Sequence, residues 1–466
     1  MTSQTAQEKS ALFVATLTSF MGPFMISAVN VALPAIQAEL GMNAMQLSFI
    51  PTAYLLATAM VLVPAGKLAD LYGRKKLFTS GLAFYTLAST LGAFAPSASW
   101  LIALRACQGI GAAMFVTTGM AILTSIFPPQ RRGRAIGIYV AAVYIGLSVG
   151  PFLGGLMTQH LGWRSIFAVM FPLGSASVWI TLTFLKGEWA DARGEKFDLT
   201  GSLLYAGAIF LLVYGSTLPP SQRSYLVAAP GLGCLALFVW RENHVAYPVF
   251  DVRLFQTNRI FAFSSLAALI NYAATYATTF LMSLYLQYIK GFSPQTAGTI
   301  LVAQPVIMAL FSPVAGRFSD RVEPRLIASS GMAVTIAGLA VFTQITPDTP
   351  LILIVGTLIM LGFGFALFSS PNMSAIMGAV EKRHYGIASG AVATMRILGQ
   401  MISMAITAVV LAIFIGREAI QPATYPLFLK SIKLIFSIST GLCAAGLWFS
   451  FSRGNVHHNI DKAQKI

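Results

Sequence analysis

Apolar segments of about twenty residues recur along this chain, the first beginning near Leu12 and the last ending near Phe451. Each segment is long enough to cross the hydrocarbon core of a lipid bilayer as a helix. Only helices and closed β-barrels satisfy their backbone hydrogen-bonding groups inside hydrocarbon. Because the segments lack the apolar–polar alternation of barrel strands, the sequence predicts an all-α polytopic membrane protein.

The composition supports this prediction. Of the 466 residues, 56% are hydrophobic and only 10% are charged, whereas soluble domains carry about 25% charged residues. We predict fourteen helical spans, at residues 11–33, 47–65, 77–95, 100–126, 134–158, 163–185, 198–217, 224–241, 260–288, 295–315, 325–344, 351–378, 385–412 and 428–452.

The chain has a formal net charge of +15. Such an excess of Lys and Arg suits either a nucleic-acid site or the cytoplasmic loops of a membrane protein. Most of the basic residues fall in alternate loops, on one side, at Lys67, Arg74, Lys75, Lys76, Arg131, Arg132, Arg134, Lys186, Arg193, Lys196, Arg241, Arg253, Arg259, Arg317, Arg321, Arg325, Lys382 and Arg383. This alternation predicts no nucleic-acid partner. It predicts a multi-pass protein of the plasma (inner) membrane with both termini in the cytoplasm.

The sequence offers no site for an enzyme, a metal or a cofactor. The three cysteines lie inside apolar segments, without disulfide or zinc spacing. There is no His/Cys/Asp cluster, nucleophile elbow or phosphate loop. The N-terminus lacks a small-residue cleavage site, so we expect the first span to stay uncleaved.

The chain repeats itself after about 250 residues. Glycine-containing segments at 66–70, 109–111 and 133–146 match segments at 316–320, 362–364 and 386–399. Two homologous bundles around a midplane site are typical of alternating-access carriers. We therefore predict an N-terminal six-helix bundle (1–186), two inserted transmembrane helices with linkers (187–259), a C-terminal six-helix bundle (260–453) and a cytoplasmic tail (454–466).

The first motif, Gly-Lys-Leu-Ala-Asp-Leu-Tyr-Gly-Arg-Lys-Lys at residues 66–76, fills the predicted tight loop between spans 2 and 3. Its glycines permit a short turn, Asp70 can cap a helix or pair with a cation, and its cations can also be ordinary loop charges. The full spacing resembles the signature loop of the major facilitator superfamily. The second copy is degenerate, because Glu323-Pro324 replaces the Gly-Arg pair. The resemblance implies a conformational latch comprising Gly66, Asp70, Gly73, Arg74 and Lys75.

A second motif lies in span 4, where Arg105 is embedded in an apolar helix. A guanidinium in such a place usually faces a cavity or a partner, although Arg105 is near enough to the helix end to reach the headgroups instead. The segment resembles the fourth-span motif of the superfamily, whose arginine is linked to proton coupling. The resemblance makes Arg105, Gln108 and Gly109 coupling candidates.

The third motif is a series of small residues in span 5: Gly137, Gly146, Gly150, Pro151, Gly154 and Gly155. Glycines four residues apart allow close helix packing, and a proline removes a backbone hydrogen bond. All the spacings resemble the antiporter motif of exporting facilitators, in which this interface seals the cytoplasmic route. The resemblance implies export.

Over nearly its whole length, the chain resembles the fourteen-span drug:proton antiporters of EmrB/QacA type. The similarity rests on the three motifs and on segments 29–36, 162–164 and 197–201. It implies a major facilitator fold of two six-helix bundles plus two inserted helices. It also implies a monomer in the lipid bilayer, a small-molecule substrate and a proton gradient as the energy source, without a cofactor.

The chain departs from these relatives in span 1, where Met25 replaces their acidic residue. None of the fifteen Asp and Glu residues lies near the middle of a span, whereas Arg105 and Arg396 do lie within spans. A lipophilic cation would normally meet a carboxylate, so the sequence favours neutral or anionic amphiphiles over cationic drugs. The polar residues that are candidates for the substrate path can also simply join helices; they are Asn30, Tyr54, Tyr144, Asn271, Tyr276, Gln304, Asn372, Arg396 and Gln400.

These observations leave three hypotheses. The first is a proton-coupled exporter of amphipathic small molecules that works by alternating access. The second is a specific exporter or importer of a neutral or anionic metabolite. The third is a non-transporting receptor or a channel-like membrane protein on the same fold, which would need neither the latch nor the span-5 motif.

Overall fold

The computed structural model of this protein describes residues 2–217, 222–250, 252–319, 321–380, 385–416 and 418–454. Regular structure in these ranges is entirely helical, which confirms the predicted all-α class. The first helix group comprises α1 (Thr2–Leu40), α2 (Ala44–Tyr72), α3 (Arg74–Gly92), α4 (Ala98–Ile126), α5 (Pro129–Leu161), α6 (Arg164–Ala168) and α7 (Met170–Phe184).

The rest of the chain forms a linking pair and a second group. The linking pair is α8 (Leu199–Thr217) and α9 (Gln222–His244), and the short α10 (Arg253–Thr257) follows it. The second helix group comprises α11 (Arg259–Thr275), α12 (Ala277–Leu284), a π-helical turn (Tyr285–Ile289), α13 (Pro294–Leu301), α14 (Ala303–Ser319), α15 (Pro324–Phe342), α16 (Leu351–Gly378), α17 (Tyr385–Phe414), a 3-10 turn (Pro422–Thr424) and α18 (Tyr425–Ser452).

Helices occupy every predicted span, but not all of them are clearly membrane-spanning. Within the described ranges, 11 helical segments are long and apolar enough to cross a bilayer. α3 and α9 are not among them, and α8 is apolar only over the shorter stretch Leu199–Gly215. The number of fourteen crossings and the domain boundaries therefore stay predictions.

The predicted loop at 66–76 is mostly helical, which corrects the sequence interpretation. α2 continues through Gly66 and Asp70 to Tyr72, and α3 begins at Arg74. Only Gly73 separates the two helices, with a φ of 118° that favours glycine. A single residue is enough to turn the chain because it has no Cβ.

The predicted repeat is confirmed by helix packing. A Cβ built at Gly111 of α4 would lie 2.7 Å from the carbonyl oxygen of Gly81 in α3. One built at Gly364 of α16 would lie 2.8 Å from the carbonyl oxygen of Gly331 in α15. The two helix groups thus use glycine at corresponding places to bring the same pair of helices into backbone contact.

A second pair of equivalent contacts fixes the register of the repeat. Gly146 of α5 packs against the backbone of α1, where an added Cβ would lie 3.1 Å from the nitrogen of Phe24. Gly399 of α17 packs in the same way against α11, where the corresponding distance to the nitrogen of Ala273 is 3.1 Å. Hence α5 and α17 are counterparts, as the sequence repeat predicts.

The two helix groups meet at one side. We call the side on which α1 begins and α18 ends the terminal side, and the opposite side the distal side. Among the described residues, every hydrogen bond between the groups lies in the distal half; the donor–acceptor pairs are Ala44–Glu418, Ser283–Asn30, Gln287–Val31, Tyr288–Gln37 and Gln295–Gln159, with a further contact between His160 and Gln295. The molecule is therefore closed on its distal side.

The linking pair covers one seam between the groups. α8 and α9 pack against each other, and α8 also packs against α2 and α17. Since α2 belongs to the first group and α17 to the second, the pair contacts both groups along this seam.

Candidate functional site

Arg105 on α4 is almost fully buried, with 1% of its surface exposed. Its Nε donates to the carbonyl oxygen of Ile50 at 3.2 Å, and its Nη1 donates to Oε1 of Gln108 at 2.8 Å. The guanidinium also lies 4.5 Å from the centre of the Tyr54 ring, a cation–π contact. Gln108 extends the network by donating to Oγ of Ser89 at 2.6 Å. Two coupling candidates thus form one fixed polar network.

The third coupling candidate, Gly109, brings α4 onto α2. A Cβ built there would lie 3.0 Å from Cβ of Ala57 and 3.1 Å from the nitrogen of Thr58. The hydroxyl of Thr58 donates to the Gly109 carbonyl at 3.1 Å. Gly109 therefore positions Arg105 against Tyr54 through close backbone contact.

Arg396, on α17, is the second of the two cations that fall within predicted spans. It lies 11 residues after Tyr385, the first residue of α17, which is about 16 Å along the helix axis. Its side chain is partly exposed, and it makes no hydrogen bond or ion pair with the described residues. Its charge lies within electrostatic range of Tyr54, Tyr139 and Tyr272.

Several path candidates have buried polar atoms without a hydrogen-bond partner. Both side-chain polar atoms of Asn271 are in this state, although the residue is fully buried. The same holds for the Tyr276 hydroxyl, for Oε1 of Gln400 and for Oδ1 of Asn30. An unsatisfied buried polar group costs about 1–3 kcal/mol, and such groups in native proteins often bind a water or a ligand.

The remaining path candidates are more dispersed. Asn372 accepts from Nη1 of Arg453 at 2.5 Å and donates to the carbonyl oxygen of Ser264 at 3.1 Å, so it joins helices on the terminal side. Tyr144 is partly buried and lies within electrostatic range of Tyr272. Gln304 is partly buried on α14.

The residues that close the distal side were not among those predicted from the sequence. Oγ of Ser283 donates to the carbonyl oxygen of Asn30 at 2.8 Å, and Nε2 of Gln287 donates to that of Val31 at 2.9 Å. The Tyr288 hydroxyl donates to Oε1 of Gln37. A usable signal was present, because Ser283 and Gln287 are polar residues one helical turn apart in an apolar span.

The latch candidates gather around an ion-pair cluster. Nη2 of Arg74 lies 2.8 Å from Oδ1 of Asp70 and 2.7 Å from Oδ2 of Asp191. Its Nη1 donates to Oγ of Ser125 on α4 at 2.9 Å. The backbone nitrogen of Ala192 donates to the Asp70 carbonyl at 3.0 Å. The segment after α7 therefore completes this cluster, a contribution that the sequence did not reveal.

Glu188, in the same segment, holds the start of α3. Its carboxylate accepts from the backbone nitrogens of Lys75 at 2.7 Å and Lys76 at 3.2 Å, where the helix dipole favours a negative charge. Nζ of Lys75 also donates to the Leu185 carbonyl. The Glu188 side chain fills the space that a Cβ on Gly73 would occupy, so this glycine is required for two separate reasons.

Gly66, by contrast, lies in α2 with nothing within 4 Å of an added Cβ. The neighbouring Lys67 pairs with Oε2 of Glu195 at 2.6 Å. The segment 185–195 thus contacts both ends of the latch region.

A second cluster of charged side chains lies where α8 begins and α9 ends. Nε of Arg241 is 2.9 Å from Oδ2 of Asp198. Glu242 is 1% exposed; its Oε2 accepts from the nitrogen of Phe250 at 2.7 Å, while its Oε1 has no partner. Both carboxylates lie against Gly201, where a Cβ would be 2.6 Å from Oδ2 of Asp198 and 2.8 Å from Oε1 of Glu242. Burial, and then the charge of Asp198, raise the pKa of Glu242.

The span-5 motif is divided between two contacts. Gly146, Gly150 and Gly154 face α1 inside the first helix group. Gly155 faces α13 of the second group, where a Cβ would lie 3.0 Å from Cα of Gln295. The carbonyl of Pro151 likewise lies against Gly298 of α13.

The first member of the span-5 motif, Gly137, has nothing within 4 Å of an added Cβ.

The described residues contain no group of three or more His, Cys, Asp or Glu side chains placed to hold a metal ion.

A protein-family model described as Major Facilitator Superfamily matches residues 13–240 and 264–465. Riboflavin transporter RibZ of Clostridioides difficile (strain 630) is 32% identical over 393 residues, which cover 84% of this chain and 85% of RibZ. Multidrug resistance protein Stp of Mycobacterium tuberculosis (strain CDC 1551 / Oshkosh) is 33% identical over 408 residues, which cover 85% of this chain and 75% of Stp.

A solved structure shares the fold. The bacterial homolog to the human lysosomal transporter Spinster, in an inward-facing and unoccupied conformation, superposes with a TM-score of 0.68 at 16% identity, over 96% of this chain and 97% of that chain. At this identity the likeness concerns the fold alone.

Proposed function

The chain belongs to the major facilitator superfamily of membrane transporters, and from that premise we propose that it exports amphipathic small molecules in exchange for protons. We also propose that it belongs to the fourteen-span EmrB/QacA branch and acts as a monomer in the plasma (inner) membrane, with both termini in the cytoplasm. The observation that carries the proposal is the arrangement of two repeated helix groups, which hold Arg105, Arg396 and several tyrosines within their spans and hydrogen-bond to each other distally.

This arrangement supports alternating access. A carrier needs a central site between two repeats and contacts on one side that can exchange for contacts on the other. Here the distal contacts are few and polar, so they can break and re-form at a small free-energy cost. The latch cluster on the terminal side offers ion pairs of the kind that such a change of state would rearrange.

Export, rather than uptake, is supported by the span-5 motif and by the relative Stp, whose name is that of a multidrug resistance protein. A second candidate function is specific transport of a neutral or anionic metabolite. The absence of acidic residues from the span interiors favours it, and so does the relative RibZ, a riboflavin transporter.

Transport in inverted membrane vesicles tests the proposal. We expect an imposed pH gradient, acidic inside, to drive uptake of amphipathic dyes into vesicles that contain the protein but not into vesicles without it. If no compound of a broad panel is taken up in response to the gradient, proton-linked export is refuted. Uptake that depends only on a substrate gradient would instead support uncoupled transport of a specific metabolite.

A further inference from the structure

The two arginines that fall within predicted spans, Arg105 and Arg396, differ in how their charges are satisfied. Arg105 is held by the Ile50 carbonyl, by Gln108 and by the Tyr54 ring. Arg396 is partly exposed and has no hydrogen bond or ion pair to the described residues. Arg105 is thus committed to the protein's own network, while the donors of Arg396 are available to a bound molecule.

Aromatic side chains of both helix groups lie within electrostatic range of Arg396: Tyr54 and Tyr139 from the first group and Tyr272 from the second. Tyr272 also packs against α17, where a Cβ added at Gly399 would lie 2.8 Å from its Cβ. The Tyr272 ring in turn contacts Phe365 edge to face, with ring centres 5.4 Å apart. A planar ring bound here would therefore have aromatic partners beside the cation.

Within the part of the chain that the structure describes, neither Arg105 nor Arg396 forms an ion pair with an acidic side chain. None of the fifteen Asp and Glu residues in the sequence lies near the middle of a predicted span. An uncompensated guanidinium within a membrane is costly, so binding of an anion is favourable. A cation at the same place would meet repulsion from Arg396.

Unsatisfied polar groups accompany Arg396. Gln400 follows it by one helical turn on the same face of α17, and its Oε1 is buried without a partner. Asn271 and Tyr276, on the facing α11 and at its end, also have buried polar atoms without partners. These groups are independent evidence of an occupant, because they are satisfied only if another molecule or water bonds to them.

We propose that Arg396 is the anion-binding residue of the substrate site and that the preferred substrates are aromatic anions. The acidic group would take the fork of guanidinium donors, and the ring would lie among the tyrosines. This inference rests on the proposed transport function, because it identifies the substrate class of that site.

The test compares matched compounds on the purified protein. The probes are 1-naphthoate, the neutral 1-naphthamide and the cationic 1-naphthylmethylammonium, which share one ring system. We expect 1-naphthoate to raise the Tm most. In Arg396→Gln, the apparent affinity for 1-naphthoate should fall about tenfold or more, as expected when a charge-assisted hydrogen bond is lost. Arg396→Lys keeps the charge but not the forked donors, so its affinity for 1-naphthoate should lie between that of Arg396→Gln and that of the unmodified protein.

Arg317→Gln is the matched control, since Arg317 is an exposed arginine at the end of α14; its naphthoate response should equal that of the unmodified protein. The inference is overturned if the neutral or the cationic probe stabilises the protein as well as 1-naphthoate. It is also overturned if 1-naphthoate gives no shift, or if Arg396→Gln retains the full shift.

Gradient-driven uptake of the same probes into proteoliposomes separates this inference from the proposed function. Uptake of the neutral or cationic probe alone would refute the aromatic-anion class and leave export standing. An Arg396-dependent naphthoate shift, without gradient-driven uptake of these probes or of any compound in the broad panel, would support the anion site and refute proton-linked export.

Discussion

Replacing Gly155 with alanine tests whether the contact between α5 and α13 holds the distal side closed. The added methyl group would lie 2.9 Å from the carbonyl carbon of Pro294 and 3.0 Å from Cα of Gln295. Both atoms belong to the backbone, so no side chain can rotate away and the helices must separate. Overpacking of this kind costs about 1–3 kcal/mol. If that cost falls on the distal-closed state alone, its population falls by about 5- to 150-fold relative to other states.

Cysteine labelling measures this change. The reporter is Ser283→Cys, because Ser283 is fully buried among the distal contacts and cysteine has nearly the same shape. Cys107, Cys234 and Cys443 are first replaced by alanine, so that only the reporter reacts. A membrane-impermeant maleimide is then added to intact cells. We expect the labelling rate to rise by at least fivefold when Gly155→Ala is combined with the reporter.

Gly137→Ala is the matched control, because Gly137 lies on the same helix and an added Cβ there meets nothing within 4 Å. It should leave the labelling rate unchanged. Gly298→Ala introduces the same kind of clash from α13 and should reproduce the effect of Gly155→Ala. Equal labelling of the Gly155→Ala variant and its parent, or equal acceleration by Gly137→Ala, would show that the contact between α5 and α13 does not hold the distal side closed.

Three further predictions concern the terminal side. Gly73→Ala should lower the free energy of unfolding of the purified protein by about 1–3 kcal/mol, because alanine is strained at this positive φ and its Cβ would clash with the Glu188 side chain. Gly66→Ala is the control and should not lower the Tm, because the added Cβ meets no neighbour. Glu188→Gln should lower the free energy of unfolding by about 1 kcal/mol, because the start of α3 loses its negatively charged cap. Slower exchange of the Lys75 amide hydrogen in the variant would contradict this role of Glu188. The pKa of Glu242 is raised in the folded protein, so the folded protein binds the Glu242 proton more tightly than the unfolded chain does. Proton binding to Glu242 therefore stabilises the fold. This contribution is fully present below the pKa of the unfolded chain and is lost as the pH rises through the pKa of the folded protein. Glu242→Gln should therefore be more stable than the unmodified protein at neutral pH, and the difference in Tm should shrink towards pH 4; a difference that is constant with pH would contradict the assignment.

The sequence predicts the helices and the repeat well, because both leave local patterns. Apolar segments locate every helix of the two groups, and the glycine spacings at Gly146 and Gly399 give the register that the packing confirms. Arg105 and Gln108 are also found from sequence, since charged and polar residues are conspicuous in an apolar span.

Contacts between distant parts of the chain could not be predicted in this way. Glu188 caps a helix that begins 114 residues earlier, at Arg74, and no spacing rule connects two such positions. Likewise, Asp198 and Glu242 meet around Gly201 only because α8 and α9 pack antiparallel. The loop predicted at 66–76 was wrong for a different reason. Its two glycines suggested a loop over the whole motif, whereas one residue with a positive φ, Gly73, is enough to separate α2 from α3.

The capping of α3 by Glu188 makes the two halves of the repeat mechanically unequal. In the first half, the angle between the second and third helices is fixed by a residue from outside the repeat, in the segment that leads to the linking pair. In the second half, the corresponding helix α15 begins at Pro324 without a side-chain cap. A change in the angle between α2 and α3 therefore breaks two charge-assisted hydrogen bonds to the segment that leads to the linking pair. Rocking about the central site should keep this angle fixed, so that α2 and α3 move as one unit.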